Sequence, residues 1–173
     1  MVIKMKKFLL ITLFSIKIIQ PQWQMLDGPY ETCEVTNLFT HPNGTMFAGS
    51  DDPPNGIPAI FRSLNSGSSW SKVSNNINIR NDGVKSIASD PQGNIYVGSW
   101  GEFYYSSDSG DNWTTKNLYH SAAINSIVFN NLGNIFFGTS GISPGIYRSE
   151  IGGNIWTLLL NKQTCLLYTS RCV

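Results

Sequence analysis

The sequence predicts an all-β protein built from repeated four-stranded units. Three tryptophans, Trp70, Trp113 and Trp156, follow one another at intervals of 43 residues. Charged residues make up only 13% of the chain, while aromatic residues make up 12% and there are 16 glycines. Aromatic residues favour strands and glycines favour tight turns, so this composition is typical of a β protein. Intrinsic disorder would require more charge and fewer apolar residues.

The net charge and the N-terminal segment restrict the partners and the location. Lys and Arg number 12 against 11 for Asp and Glu, a net charge of +1 that predicts no basic surface for nucleic acid. Within residues 1–20, the apolar run Phe8–Ile16 follows three positive charges, Lys4, Lys6 and Lys7. This run is shorter than the roughly 20 residues that span a bilayer, and it fits a secretory signal peptide. We therefore expect a secreted or cell-surface protein without a stable membrane span in the mature chain; a buried strand or helix is the alternative.

Each of the three tryptophans ends a related octet. The octets read SLNSGSSW, SSDSGDNW and SEIGGNIW, and they share the frame S-x-[D/N]-x-G-x-x-W, with Ile151 at the acidic position of the third copy. The residues that carry this frame are Ser63, Asn65, Gly67 and Trp70, then Ser106, Asp108, Gly110 and Trp113, then Ser149, Gly153 and Trp156.

A second element recurs upstream of each octet. Its copies read VTNLFTHPNGTMFAGS, VKSIASDPQGNIYVGS and INSIVFNNLGNIFFGT, beginning at Val35, Val84 and Ile124. Each copy predicts a strand, a turn with glycine at its end, and a second strand that ends in Gly-Ser or Gly-Thr. The segment after this second strand differs in length between copies. Fixed cores with one variable loop indicate repeated supersecondary units.

The middle unit shows the four strands of each repeat. We predict them at Val84–Ser89, Asn94–Ser99, Phe103–Ser107 and Trp113–Lys116, because apolar residues there alternate or form short dense runs. A four-stranded unit of about 43 residues has the period of a β-propeller blade. The sequence therefore predicts an entry strand or linker at 21–34 and blades at 35–78, 79–121 and 122–162.

Three blades do not close a propeller, since closed propellers use about four to eight. We therefore expect an incomplete ring, with the remaining blades of a longer protein among its partners. Residues 163–173 read QTCLLYTSRCV and break the repeat. We expect this non-native or truncated tail to add no blade structure.

The octets resemble the Asp-box, or bacterial-neuraminidase-type, repeat. This repeat occurs in the propellers of sialidases, sortilin, xyloglucanases and photosystem II assembly factor-like proteins, and the resemblance covers about residues 35–160. It implies a propeller in which each octet forms the turn between the third and fourth strands of a blade. It implies no particular reaction, because proteins with this architecture differ in function.

The residues of the octet suit a structural turn. Asp108 can accept backbone N–H groups, Gly110 can adopt a positive φ, and Trp113 can pack between blades. Asn65 replaces the aspartate in the first copy, which a hydrogen-bonding role tolerates better than acid catalysis or metal binding would. We therefore interpret the octets as structural.

No residue is predicted to be catalytic. Arg62 and Arg148 resemble an arginine clamp for a carboxylate, but they occupy the same position of the repeat and therefore suit a role in the blade. The cysteines, Cys33, Cys165 and Cys172, lack the spacing of a metal site. The sequence predicts no metal and no cofactor.

The end of the blades opposite the octets is the candidate ligand-binding face, because variable loops on a rigid scaffold commonly carry binding sites. Its candidate residues are Asp51, Asp52, Trp100, Glu102 and His120. The alternative is a solvated turn with Trp100 as a rim aromatic. The sequence predicts a non-enzymatic scaffold for an unknown protein or glycan. The alternative function is the N-terminal part of a sialidase-like or xyloglucanase-like glycoside hydrolase, since Asp51 or Asp52 with Glu102 could supply a carboxylate pair.

Overall fold

The computed structural model describes residues 34–51, 58–79, 83–117, 122–150 and 153–161. These ranges hold twelve strands and no helix. The strands are β1 (Val35–Thr40), β2 (Met46–Ser50), β3 (Ile60–Ser63), β4 (Ser71–Lys72), β5 (Ser86–Ser89), β6 (Ile95–Gly98), β7 (Glu102–Ser106), β8 (Thr114–Asn117), β9 (Ala122–Phe129), β10 (Ile135–Gly141), β11 (Gly145–Ser149) and β12 (Trp156–Asn161). The predicted signal peptide, the tail 163–173 and the three cysteines lie outside the described residues.

The twelve strands form three four-stranded antiparallel sheets, as the repeat predicts. Within each sheet the strands lie side by side in chain order, β1 to β4, β5 to β8 and β9 to β12. The strands of the middle sheet begin and end within two residues of the predicted bounds. The all-β prediction is therefore confirmed. In the part of the chain that the structure describes, no helix has the length and apolar character needed to cross a bilayer.

The first hairpin of the second and third sheets is closed by the side chain that precedes the turn. In the second sheet, Asp90 Oδ1 accepts the backbone N–H groups of Gln92 and Asn94 at 3.0 and 2.8 Å. Asn130 Oδ1 does the same in the third sheet, accepting from the N–H of Leu132 and of Asn134 at 3.1 and 2.9 Å. A short polar side chain thus satisfies turn donors that the strands leave unpaired.

Two apolar cores lie between neighbouring sheets. The first joins Phe47 and Ile60 of the first sheet to Tyr104 of the second, and all three side chains are fully buried. The second joins Phe103 of the second sheet to Phe137 of the third, with ring centroids 5.2 Å apart in an edge-to-face arrangement. Burial of these large side chains between sheets supplies the main stabilisation of the arrangement.

A glycine near the end of the second strand lets the next sheet approach closely. A Cβ atom on Gly49 would lie 2.3 Å from Val84 Cγ1, and one on Gly98 would lie 2.8 Å from Ile124 Cβ. The residue that follows each glycine accepts a hydrogen bond at the same place: the N–H of Val84 donates to the Ser50 carbonyl at 3.0 Å. Each contact packs the region around the start of one sheet's first strand against the preceding sheet.

We predict that Gly98→Ala destabilises the protein by about 1–3 kcal/mol, because the added methyl group must displace the backbone-anchored side chain of Ile124. Gly138→Ala is the matched control: it occupies the equivalent position of the third sheet, where the closest neighbour is the movable hydroxyl of Ser126. Urea denaturation of both variants measures the difference. Equal free-energy losses would show that the close approach of Ile124 does not limit the packing.

Candidate functional site

The second octet is a turn closed by its own side chains. Ser106 Oγ accepts the Gly110 N–H at 2.8 Å and donates to Asp108 Oδ1 at 2.8 Å. The same carboxylate accepts the backbone N–H and the side-chain amide of Asn112 at 2.9 and 2.8 Å. The octet lies between β7 and β8, the third and fourth strands of its sheet. The side chains of Ser106, Asp108 and Asn112 are therefore bonded to one another within the turn.

The first octet repeats this arrangement with an asparagine in place of the aspartate. Ser63 Oγ accepts the Gly67 N–H at 2.9 Å and donates to Asn65 Oδ1 at 2.9 Å. Asn65 Oδ1 accepts the N–H of Ser69 at 2.9 Å, while its amide donates to the Ser69 hydroxyl at 2.8 Å. The turn thus uses the acceptor oxygen that Asp and Asn share, and it does not require a charge.

The third octet lacks the polar side chain at this position. Its Ser149 is buried, at 2% exposure, as are Ser63 and Ser106 at 1% each. Gly153 has a φ of 65° and donates its N–H to the Glu150 carbonyl at 3.2 Å. Ile151, at the acidic position, lies outside the described residues.

The hydrogen bonds to Asp108 stabilise its charged form. The backbone N–H and the amide of Asn112, with the hydroxyl of Ser106, lower the pKa of Asp108 from 3.8 to about 2. Gly110 has a φ of 90°, which only glycine adopts readily, and Ser109 before it has a φ of 59°. The turn therefore combines an unusual backbone with a carboxylate that stays ionised to low pH.

The octet tryptophans occupy related places in the three sheets. Trp113 is 5% exposed, belongs to the core between the first and second sheets, and donates its ring N–H to the Val73 carbonyl at 2.9 Å. Trp156 packs against the core between the second and third sheets, stacked on Phe137 at 4.1 Å between centroids. Trp70 packs on the first sheet against a small cluster that includes Phe61. Each ring therefore packs on the side of its sheet that points away from the sheet that follows in the sequence.

The two arginines of the repeat position have different surroundings. Arg62 donates to Asp111 Oδ1 at 2.7 Å and to the Ser109 carbonyl at 2.8 Å, both in the second octet. Arg148 lies at the equivalent position of the third sheet and lines a cavity with Asn154 and Leu159. The contact of Arg62 thus joins two sheets.

The opposite end of the sheets holds the predicted ligand-binding residues. Asp51 accepts from the Lys85 ammonium group of the neighbouring sheet at 3.3 Å. Glu102 Oε2 accepts the hydroxyl of the fully buried Tyr104 at 2.9 Å. Trp100 is partly buried and forms an isolated bridge with Ala123 of the third sheet. The structure places these side chains at one end but gives each a different partner.

Two residues of the predicted set, Asp52 and His120, lie outside the described residues. Within the described ranges, no three His, Cys, Asp or Glu side chains come close enough together to hold a metal ion. Sequence reasoning missed Lys85 and Tyr104, which engage the two carboxylates. Lys85 carried no signal, because its partner is 34 residues away and belongs to another sheet.

Comparisons with known proteins agree on the architecture. Residues 78–101, which contain β5 and β6, match a family described as two component regulator propeller. The extracellular domain of BT4673 from B. thetaiotaomicron, described as a hybrid two component system, superposes on 78% of this chain with a TM-score of 0.58 and 14% identity. The fold is a β-propeller. The three sheets are its blades.

The GH74 enzyme of Niastella koreensis has the same fold over 71% of this chain, with a TM-score of 0.58 and 20% identity. The chain spans about a fifth of the length of these proteins, 17% of the BT4673 domain and 21% of the GH74 enzyme. A search of curated proteins finds no match. Likeness at these identities shows a shared fold, and function does not follow from fold.

We predict that Asp108 makes stability depend on pH between about 4 and 2. Its pKa is lower in the folded chain than in the unfolded chain, so it stabilises the fold above pH 4 and loses this contribution as the pH falls through the folded pKa of about 2. Asp108→Asn reproduces the first octet and should melt with a weaker pH dependence in this range. Asp108→Ala should melt lower than either at neutral pH, because it leaves the turn donors unpaired.

The measurement is thermal melting of the three proteins from pH 2 to pH 7, followed by circular dichroism. The asparagine variant serves as the control, because it keeps the acceptor oxygen and removes only the charge. Parallel melting curves for the parent and Asp108→Asn between pH 4 and 2 would contradict the role assigned to the carboxylate.

Proposed function

We propose that this chain is part of an extracellular or cell-surface Asp-box propeller that acts as a non-enzymatic scaffold for a protein or glycan ligand. The observation that carries this proposal is the difference between the two ends of the blades. At the octet end, the first two turns are closed by their own Ser and Asp or Asn side chains, and Arg62 links the first blade to the second of these turns. The other end carries the connections between the second and third strands, 51–59, 99–101 and 142–144, of which the first is the longest.

Assignment of the octets to the Asp-box repeat is supported by their hydrogen bonds. In two blades, the first residue of the octet is a buried serine that binds the N–H of the glycine and the oxygen of an Asp or Asn side chain. The substitution of Asn65 for aspartate leaves this pattern intact. A turn built in this way stabilises the end of a blade, and ligand binding falls to the opposite end.

An extracellular location is supported by two observations. Residues 1–20 have the pattern of an export signal. The similar domain of BT4673 is itself described as extracellular. We infer that this chain also acts outside the cytoplasm, where a ligand-binding propeller would face the surroundings of the cell.

The loop end has the chemistry of a binding surface for a polar ligand. It carries the indole of Trp100, which can stack on an apolar ring face, and the Asp51–Lys85 ion pair, which presents both charges with about a third of each side chain exposed. A glycan combines apolar ring faces with hydroxyl groups, and this surface offers partners for both.

The second candidate function is a glycoside hydrolase fragment, which the shared fold with the GH74 enzyme favours. Such an enzyme needs a carboxylic acid and a second carboxylate placed around the glycosidic bond. Glu102 is held by the Tyr104 hydroxyl and Asp51 by Lys85, so both carboxylates already have partners within the protein. This arrangement favours the scaffold over the enzyme.

We predict that Trp100→Ala lowers glycan affinity by about tenfold, or ~1.4 kcal/mol, because it removes the stacking surface. The measurement is binding of the full chain to an array that includes sialylated and xyloglucan oligosaccharides. Leu64→Ala is the matched control, since Leu64 lies in the first octet at the other end of the blade and is 74% exposed. Circular dichroism checks that both variants fold.

Equal affinity of Trp100→Ala and the parent would exclude the loop end as the glycan site. Release of sialic acid or shortened xyloglucan by the parent protein would favour the hydrolase. Loss of binding in Leu64→Ala alone would place the ligand at the octet end and overturn the assignment of the two ends.

A further inference from the structure

One face of the third blade is exposed, although the equivalent face of each of the other two blades is buried against the next blade. We define this open face as the side of the third blade that points away from the second, formed by Ser126, Val128, Gly138, Ile146, Arg148 and Leu159. Ile146 is 39% exposed, whereas Ile60 and Phe103, at the equivalent positions of the first and second blades, are fully buried against the next blade. Among the described strands, none packs against the open face.

One end of the open face repeats the glycine contact between blades. In the second blade, Gly98 makes room for Ile124 and the Ser86 hydroxyl donates to the Ile124 carbonyl at 2.8 Å. The equivalent residues of the third blade are Gly138 and Ser126. They line a cavity of about 530 Å³ together with Thr139, Ile146 and Leu160.

In both observed interfaces, the residue that fills this place is β-branched and aliphatic. It is Val84 against the first blade and Ile124 against the second. Each donates its N–H at 3.0 Å to the carbonyl of a hydroxyl residue, Ser50 or Ser99, and Thr139 occupies that position in the third blade. The cavity therefore has the glycine and the hydroxyl residue that receive Val84 and Ile124 at the other two interfaces.

The other end of the open face repeats the charged contact between blades. In both interfaces a cation of the preceding blade binds the sixth residue of the next octet. Arg62 binds Asp111 at 2.7 Å, and the Lys116 ammonium group donates to Asn154 Oδ1 at 2.8 Å. Arg148 has the position of Arg62 and lines a second cavity, of about 470 Å³.

We propose that the open face is the seat of a further blade of this repeat, with a β-branched aliphatic residue at the head of its first strand and a carboxylate at the sixth position of its octet. The aliphatic residue fills the cavity at Gly138, and the carboxylate accepts a hydrogen bond from Arg148, as Asp111 does from Arg62. The second blade is the blade of this chain that shows both features, Val84 and Asp111.

The charge requirement argues against the first blade of a second copy as the occupant. That blade offers Val35 at the head of its first strand, which is 44% exposed. Its octet has Ser68 at the sixth position, however, so it would leave Arg148 without a carboxylate. The open face thus distinguishes between blades by charge as well as by shape.

The test joins a copy of residues 79–121 to the C-terminal end of the full chain. We expect the extended chain to melt several degrees higher than the parent, and β9 and β11 to exchange their amide hydrogens more slowly, because neighbouring blades stabilise each other. Gly138→Val should abolish this gain in the extended chain, since the larger side chain fills the cavity. The same substitution in the parent is the control and should change its melting temperature much less.

A double-mutant cycle tests the proposed contact between Arg148 and the carboxylate of the added blade. Arg148→Ala, and Asp→Asn at the copied Asp111 position, should each lower the melting temperature of the extended chain, and together they should lower it no further than either alone. Additive losses would show that the two residues do not meet. An extended chain that melts like the parent, or a parent dimer that Gly138→Val dissociates, would overturn the proposal; the second result would assign the face to another copy of the chain.

Discussion

The rest of this structure depends on the close packing of an aliphatic residue near the start of each blade against a glycine of the preceding blade. Val84 meets Gly49 and Ile124 meets Gly98, at distances that leave no room for a Cβ atom on either glycine. A backbone hydrogen bond of 3.0 Å joins each pair of blades at the same place. Because this contact sets the separation of the sheets, large side chains such as Phe103 are fully buried between them.

Fixed spacing between the blades explains why their two ends can differ in role. At the octet end, Arg62 reaches the next turn and binds both a carbonyl and a carboxylate. Asp111 is 63% exposed, so this ion pair contributes modestly to stability and serves mainly to orient the turn. At the other end the chain is held by the strands on both sides of each loop. The loops can therefore change in length without disturbing the core, and that freedom suits ligand binding.

Much of the fold could be predicted from the sequence because its determinants are local. The three units, their turns and the hydrogen bonds of the octets depend on residues within four or five positions of one another. Contacts between blades could not be predicted, since Lys85 and Asp51 lie 34 residues apart and meet only through the rotation between two sheets. The short β4 also differs from a full fourth strand. Beyond Lys72, the hydroxyl of Ser74 takes over by accepting the Ile60 N–H at 3.1 Å.

The middle blade shows that a contact between blades can be kept while a residue at another position of the repeat makes it. Tyr105 stands where the other blades have arginine, and its ring packs on Tyr96 at 5.1 Å between centroids. The polar link to the next octet is instead made by Lys116, which comes from the fourth strand. A cation therefore reaches the sixth octet residue from either of two strands. Because either strand can supply the cation, the contact is found only when residues on both sides of the blade interface are compared. An alignment of the three blades places Arg62, Tyr105 and Arg148 at one position and does not show that Lys116 replaces the arginine.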